Sequence, residues 1–294
     1  MTIAVCYVSP EGVVLGADST STYGDLGDIH YNHSQKLFEI GEDSTLGVVT
    51  WGLGGLQISS HRTLLAHLAD DLRAQPPKDV KDVAERWSKS FWQAYSDKNC
   101  PMAPHIATCR ALAGNAPYDA KNAGQSGMRT EQEEKTFQQL AMSLVVGFCI
   151  AGYVLPSRTP EAYEILFDPL KDLPTPQQRM GPWFWGAPNM ILRLLTGCDG
   201  SLKQAILSSG QWKGTAADLD ALIQKHSLTH PILPIRDSID FTHACISSTI
   251  KAFKFSGLSP ICGGPIEIAV ITTDRRFRWV RHKPWDAAII EGDL

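Results

Sequence analysis

The order of apolar runs along the 294-residue chain predicts an α+β protein, a four-layer α/β/β/α sandwich in which two antiparallel sheets lie between layers of helices. Three observations lead to this class. Strand pairs joined by short turns open and close the sequence. The helical periodicities come in blocks between groups of strands. The alternating strand-helix rhythm of a doubly wound parallel sheet is absent.

The elements follow in order. Thr2 to Val8 and Val13 to Ala17 are β-branched and apolar, and Ser9-Pro10-Glu11-Gly12 between them supplies the Pro and Gly that a tight turn uses. A polar, glycine-containing loop is expected from Ser19 to Ser34. Lys36 to Ile40 and Thr45 to Trp51 then flank Gly41-Glu42-Asp43 as a second hairpin, so four strands are expected before any helix. After Gly52-Leu53-Gly54-Gly55, the recurrence of Leu64, Leu65, Leu68 and Leu72 predicts a helix over Leu56 to Arg73. Val80, Val83, Trp87, Phe91 and Ala94 define one stripe of a second helix, Val80 to Tyr95, antiparallel to the first across Gln75-Pro76-Pro77.

From Lys98 to Thr136 the composition turns to Asn, Gly, Pro, Gln and charge without a sustained apolar period, which reads as an insertion or a mobile loop. Strands resume over Ser143 to Tyr153, Tyr163 to Phe167 and Trp183 to Gly186. Helices are expected at Met190 to Leu195, Leu202 to Ser208, Ala216 to His226 and Ser238 to Phe255. Ile266 to Thr272 and Phe277 to Arg281 close the chain as a hairpin about Thr273-Asp274-Arg275-Arg276. Residues 1–294 are expected to form one domain, with 98–136 as an insertion and 199–233 as an added helical segment.

Composition excludes several functional classes. The 27 Lys and Arg against 31 Asp and Glu give a net charge of -4 with no basic stripe, so nucleic acid is not an expected partner. The longest mainly apolar stretch, Leu140 to Leu155, falls short of the ~20 residues a bilayer span needs and contains Ser143, Gly147, Gly152 and Tyr153, so no membrane association is expected. Seven scattered cysteines without a C-x-x-C pair read as reduced, buried thiols of a cytoplasmic protein. The N-terminus lacks a basic region and meets Glu11 early, which is not the pattern of a secretory signal.

Secondary motifs carry less chemistry. His30 and His33 beside Asp28 are metal-ligating types, but a pair in a polar stretch is better explained as a solvated turn, and no metal is expected. Gly52-Leu53-Gly54-Gly55 resembles a dinucleotide loop only superficially, because Gln57 stands where a third glycine belongs and no β-α-β unit surrounds it. Pro182-Trp183-Phe184-Trp185 reads as core or subunit interface, and the absence of G-x-S-x-G argues against an α/β-hydrolase.

Four features converge at the front of the chain: Thr2 behind Met1, Ala17-Asp18-Ser19 ending the second strand, Lys36 opening the third, and Gly52 closing the fourth. Together with Gly12 to Ser19, Lys36-Leu37-Phe38-Glu39-Ile40, the stretch Ser143 to Pro169 and Gly263-Gly264-Pro265-Ile266-Glu267-Ile268-Ala269-Val270, they resemble the proteasome β-subunit family of N-terminal nucleophile hydrolases. The resemblance implies a threonine peptidase in which Thr2, exposed by removal of Met1, attacks the scissile carbonyl. Its α-amino group would act as the base, Asp18 and Lys36 would tune that amine, and the Gly52 N–H would hold the oxyanion.

The residue types fit that chemistry. A threonine hydroxyl needs a base, and an α-amine with an ordinary pKa of ~7.7 to 8.0 already lies near working pH. A neighbouring ammonium, Lys36, disfavours protonation of the amine, and a carboxylate, Asp18, holds that ammonium in place. Ser19 and Ser259 are candidate supporting hydroxyls. The family usually places a Ser within Gly-Ser-Gly after a later strand, where this chain has Gly186-Ala187-Pro188, and an Asp shortly before the final Gly-Gly, where it has Ser259-Pro260-Ile261-Cys262. The resemblance further implies a peptide or unfolded-protein substrate and a homo-oligomeric ring, with no cofactor; whether an ATPase is a partner is left open by the sequence. The competing expectations are an inactive, structural proteasome-like subunit and a small-molecule amidase or acylase of the same superfamily.

Overall fold

The computed structural model describes residues 2–23, 29–122, 124–257 and 261–283. Its architecture is mixed α+β, with two antiparallel five-stranded sheets, a two-stranded ribbon and, among the described residues, eight α-helices. The chain divides into two compact units, residues 1–36, 181–270 and 278–294 forming one, and residues 37–180 and 271–277 the other.

In the first unit, β1 (Ile3–Ser9) and β2 (Gly12–Ala17) form the expected hairpin, with Ala4 opposite Ala17 and Ser9 opposite Gly12. Every residue of both strands is buried, which is why they read as continuous apolar runs and not as alternating ones. On its other side β1 pairs with β10 (Gly181–Gly186), Ile3 lying opposite Gly186, in a sheet of order β10-β1-β2-β11-β12 with β11 (Glu267–Thr272) and β12 (Arg275–Arg281). Four helices belong to this unit, α5 (Asn189–Thr196), α6 (Gly200–Ser208), α7 (Ala216–His226) and α8 (Ile235–Lys254). The longest of them, α8, lies on β1 and β2, where its Cys245 and Ile246 join Ile3, Val5, Val14 and Ile268 in one apolar core.

Between β2 and the second unit the sequence predicts a plain loop. The structure instead pairs β3 (Ser21–Tyr23) with β4 (Ile29–Tyr31) in a short ribbon, Ser21 opposite Tyr31. The β-branched and aromatic residues at its two ends favour extended backbone, and among the described residues six strands, not four, precede the first helix.

In the second unit, β5 (Leu37–Glu39), β6 (Leu46–Gly52), β7 (Val146–Gly152), β8 (Glu161–Phe167) and β9 (Gln177–Arg179) form the second sheet in that order. The first two helices, α1 (His61–Ala74) and α2 (Val80–Tyr95), carry the expected stripes, and α2 packs on β7 and β8. Trp87 and Phe91 meet Phe148 at ring distances of 4.9 and 4.8 Å in the middle of this core.

The stretch 98–136 is not a continuous loop. It holds α3 (Ala103–Ala113) and the start of α4 (Glu131–Ser143). Only Ile106 and Cys109 of α3 are buried, and no residue of α4 is, so no strong apolar stripe marks either helix in the sequence. The signal that was present is the capping box at α4, where Thr130 accepts from the Glu133 N–H and Glu133 from the Thr130 N–H. β9 escaped notice because its Gln-Gln-Arg composition carries no strand pattern; the Arg179 guanidinium anchors it to Glu164 of β8. All seven cysteines are free, six of them buried. No described helix is long and apolar enough to cross a membrane.

His61 opens α1 inside the aromatic core, its ring 5.0 Å from Phe148 and 5.9 Å from Phe91. Burial pushes its pKa down to about 4 from an ordinary 6.5. The unfolded chain therefore binds a proton at a higher pH than the folded one, and stability present above pH 6.5 is lost as pH falls toward 4. Urea melts between those limits should show stability falling by about 1.4 kcal/mol per pH unit from this residue, and His61→Phe should flatten that slope.

Candidate active site

The site is built at one end of the first sheet, where β1 begins and β2 ends. Asp18 follows β2 directly and is fully buried. Its carboxylate accepts four hydrogen bonds. Oδ1 takes the Ile3 N–H at 3.1 Å and the Lys36 ammonium at 2.8 Å, and Oδ2 takes the Gly263 N–H at 3.0 Å and the Thr20 N–H at 3.3 Å. Hydrogen bonds to an ionised group are worth about 1.5–3 kcal/mol each, and here they replace the water that burial removed.

Lys36 is brought to Asp18 by the segment that enters β5 and is itself buried, 6% exposed. Its ammonium also donates to the Thr20 carbonyl, and the pair at 2.8 Å is a buried salt bridge. Cys262 lies in the same electrostatic neighbourhood. Burial pushes its thiol up to about 12, the Asp18 charge adding to the rise and Lys36 opposing it, so it is an inert thiol here.

Thr2 precedes β1 and is 4% exposed. Its backbone is held on both sides: the neighbouring Ile3 N–H points to Asp18, and the Thr2 carbonyl accepts the Ala187 N–H at 2.8 Å. Gly186, at the end of β10, has φ +82, and a Cβ there would lie 1.8 Å from the Thr2 oxygen. Only glycine permits both that backbone conformation and that approach. Ala187, which stands where a hydroxyl was sought, contributes its N–H to this clamp and has a buried methyl side chain.

Ser19 is buried next to Asp18; its N–H bonds the Gly263 carbonyl at 3.0 Å and its hydroxyl accepts from the Lys283 ammonium at 3.4 Å. Gly52 ends β6 in the second unit with φ +85, and a Cβ there would meet the Val145 oxygen at 2.2 Å, so this position also requires glycine. Ser259, Met1 and Asp28 lie outside the described residues, as does the His30 side chain. Thus Ile3 beside Thr2, Asp18, Lys36 and Ser19 are brought together as one network. Among the described residues, no group of three or more His, Cys, Asp or Glu side chains is placed to hold a metal.

Sequence reasoning gave no site role to Thr20, Gly263, Glu267 or Lys283, although Gly263 and Glu267 stand in a stretch that carries the resemblance. The one local signal was Glu267, a lone carboxylate at the head of the apolar run Ile268-Ala269-Val270-Ile271. Such a charge is buried only with a partner, and that partner is Lys283 at 2.7 Å.

The fold these elements define is proteasome-like, as comparison with solved structures shows. The Gly(-1) mutant of Anbu from Hyphomicrobium sp. strain MC1 superposes with a TM-score of 0.51 at 10% identity, covering 100% of this chain and 97% of that one. A second Anbu structure from the same organism gives a TM-score of 0.48 at 10% identity, covering 99% of this chain and 94% of that one. No protein-family model matches the sequence, and no curated protein matches it.

Replacing Asp18 by Ala should leave the Lys36 ammonium and three N–H donors buried without their acceptor. A loss of about 3–5 kcal/mol in chemical denaturation is expected, much of it recovered when Lys36→Met is added. Unchanged stability of the single variant would contradict the burial of this pair.

Proposed function

We propose that this protein is a threonine-type amide hydrolase that cleaves peptides, acting once Thr2 is the first residue of the chain. The observation that carries the reading is the buried Lys36–Asp18 pair whose carboxylate also binds the N–H of Ile3, the residue next to Thr2. A fixed ammonium in this place supports the tuning role that the proteasome resemblance assigns to Lys36. It favours the neutral, basic form of the Thr2 amine.

In the proposed cycle the Thr2 hydroxyl oxygen attacks the amide carbonyl carbon while its proton passes to the Thr2 amine, directly or through water. The tetrahedral oxyanion collapses as the ammonium so formed protonates the leaving nitrogen, which frees one peptide product and leaves an ester on Thr2. Water, deprotonated by the same amine, cleaves the ester and restores the hydroxyl. Gly52 is proposed as the oxyanion donor and Ser19 as a supporting hydroxyl on the resemblance alone. The scheme calls for no metal or organic cofactor. Residues 1–294 are proposed to act as one proteasome-like domain, with extended polypeptide as substrate, a homo-oligomeric ring as the assembly and an ATPase as a candidate partner.

Two observations favour a second reading, an inactive structural subunit: Thr2 is only 4% exposed, and Ala187 supplies no hydroxyl. A soluble small-molecule amide is the alternative substrate class for an active enzyme.

A panel of peptide epoxyketones with Leu, Phe, Asp or Arg at the first position separates these readings. Such a reagent needs both the Thr hydroxyl, which adds to the ketone, and the free amine, which opens the epoxide, so the mass gained equals the whole reagent. Intact-mass analysis should show loss of Met1 and one adduct mapped to Thr2. Thr2→Ala should abolish the adduct with a melting temperature within a few degrees of wild type. Retained Met1 and no adduct from any reagent would make the structural subunit the correct reading.

A further inference from the structure

Lys283 contributes a second buried cation to the network. Its side chain is 10% exposed, and its ammonium donates to Glu267 Oε2 at 2.7 Å, to the Ser34 carbonyl at 3.1 Å and to the Ser19 hydroxyl at 3.4 Å. Ser19 adjoins Asp18, and Ser34 lies two residues before Lys36. The Ser34 N–H also bonds the Ser19 carbonyl at 3.0 Å. Lys283 therefore grips both segments that deliver the Asp18–Lys36 pair, at the point where those segments meet.

Glu267, on β11 and fully buried, holds Lys283 in that position. Its other oxygen faces the His282 ring nitrogen at 3.4 Å, and that ring lies tilted at 46° against Trp279, the ring centres 4.2 Å apart. A lysine spent on a surface ion pair would be exposed and screened. Here the ammonium is desolvated, and its remaining donors are used on backbone and hydroxyl groups of the site.

We propose that Lys283, held by Glu267, is a positioning residue for the Asp18–Lys36 pair and so sets where the Lys36 charge stands relative to the chain start. The inference rests on the proposed peptidase reading for its kinetic consequence, but its geometric content does not. Displacement of a fixed charge by about 1 Å is enough to slow a positioned reaction ~100-fold.

The test compares wild type with Lys283→Met, Lys283→Arg and the double variant Glu267→Gln/Lys283→Met, the last removing the buried carboxylate that would otherwise be left unpaired. The rate of Thr2 adduct formation with the most reactive epoxyketone is measured from pH 5 to 10. Amide hydrogen exchange is followed at Ile3, Thr20 and Gly263, whose N–H groups all bond Asp18.

The ionisable groups in this network are Asp18, Lys36, Cys262, Glu267, His282 and Lys283. With Lys36 no longer held, the Thr2 amine loses some of the charge that keeps it neutral, so the rising limb of the pH profile should move to higher pH. Lys283→Met and the double variant should form the adduct about 10- to 100-fold more slowly with that displaced limb, exchange faster at the three amides, and exchange at wild-type rates in β8. Lys283→Arg should recover most of the rate. Wild-type rates, an unmoved limb and unchanged exchange in a folded variant would overturn the proposal. Should wild type itself fail to form the adduct, the peptidase reading fails alone, and the exchange rates at Ile3, Thr20 and Gly263 still decide whether Lys283 positions Asp18.

Discussion

The candidate site depends on one buried carboxylate. Asp18 has no access to water and replaces it with four donors drawn from the first strand, the segment after β2, the entry to β5 and the glycine turn before β11. An unpartnered carboxylate at this depth would cost several kcal/mol, so each donor segment is constrained by the others. The sheet register brings the chain to that point. Ala4 faces Ala17 across β1 and β2, which carries Ile3 to the level of Asp18, and Ile3 faces Gly186 across β1 and β10, which brings the backbone of β10 against Thr2.

This constraint links the fold to the chemistry proposed for it. A charge that must act on a neighbouring amine is useful only if it does not relax toward solvent, and burial of Lys36 against Asp18 meets that condition. The glycine at 186 serves the same end by different means. Its positive φ and missing side chain allow the Thr2 carbonyl to be gripped by the Ala187 N–H, so the residue proposed as nucleophile has a fixed main chain before any substrate arrives.

Much of this was legible in the sequence, for physical reasons that differ between elements. Buried central strands such as β1, β2 and β6 announce themselves as apolar runs between turn residues, and α2 by its stripe from Val80 to Phe91. The pair Asp18 and Lys36 was found through the resemblance, because neither residue type alone distinguishes a site from a turn or a strand end. What escaped was held by backbone or by long-range partners. The β3–β4 ribbon has strands of only three residues, too short to show a pattern, β9 is a polar Gln-Gln-Arg strand paired with β8, and α3 and α4 lack a wide buried face. Lys283 lies 249 residues from Ser34 and 264 from Ser19, a separation across which no local pattern extends.

That separation has a consequence for synthesis of the chain. Asp18 and Lys36 leave the ribosome early, yet Gly263 completes the carboxylate's donor set, and Glu267 and Lys283 lie later still. A nascent polypeptide released or stalled before residue 263 lacks that donor and both members of the second ion pair. The chemistry proposed for Thr2 is thereby made conditional on Gly263, Glu267 and Lys283, and a product truncated before them carries the same Thr2, Asp18 and Lys36 without the surroundings that would make them reactive.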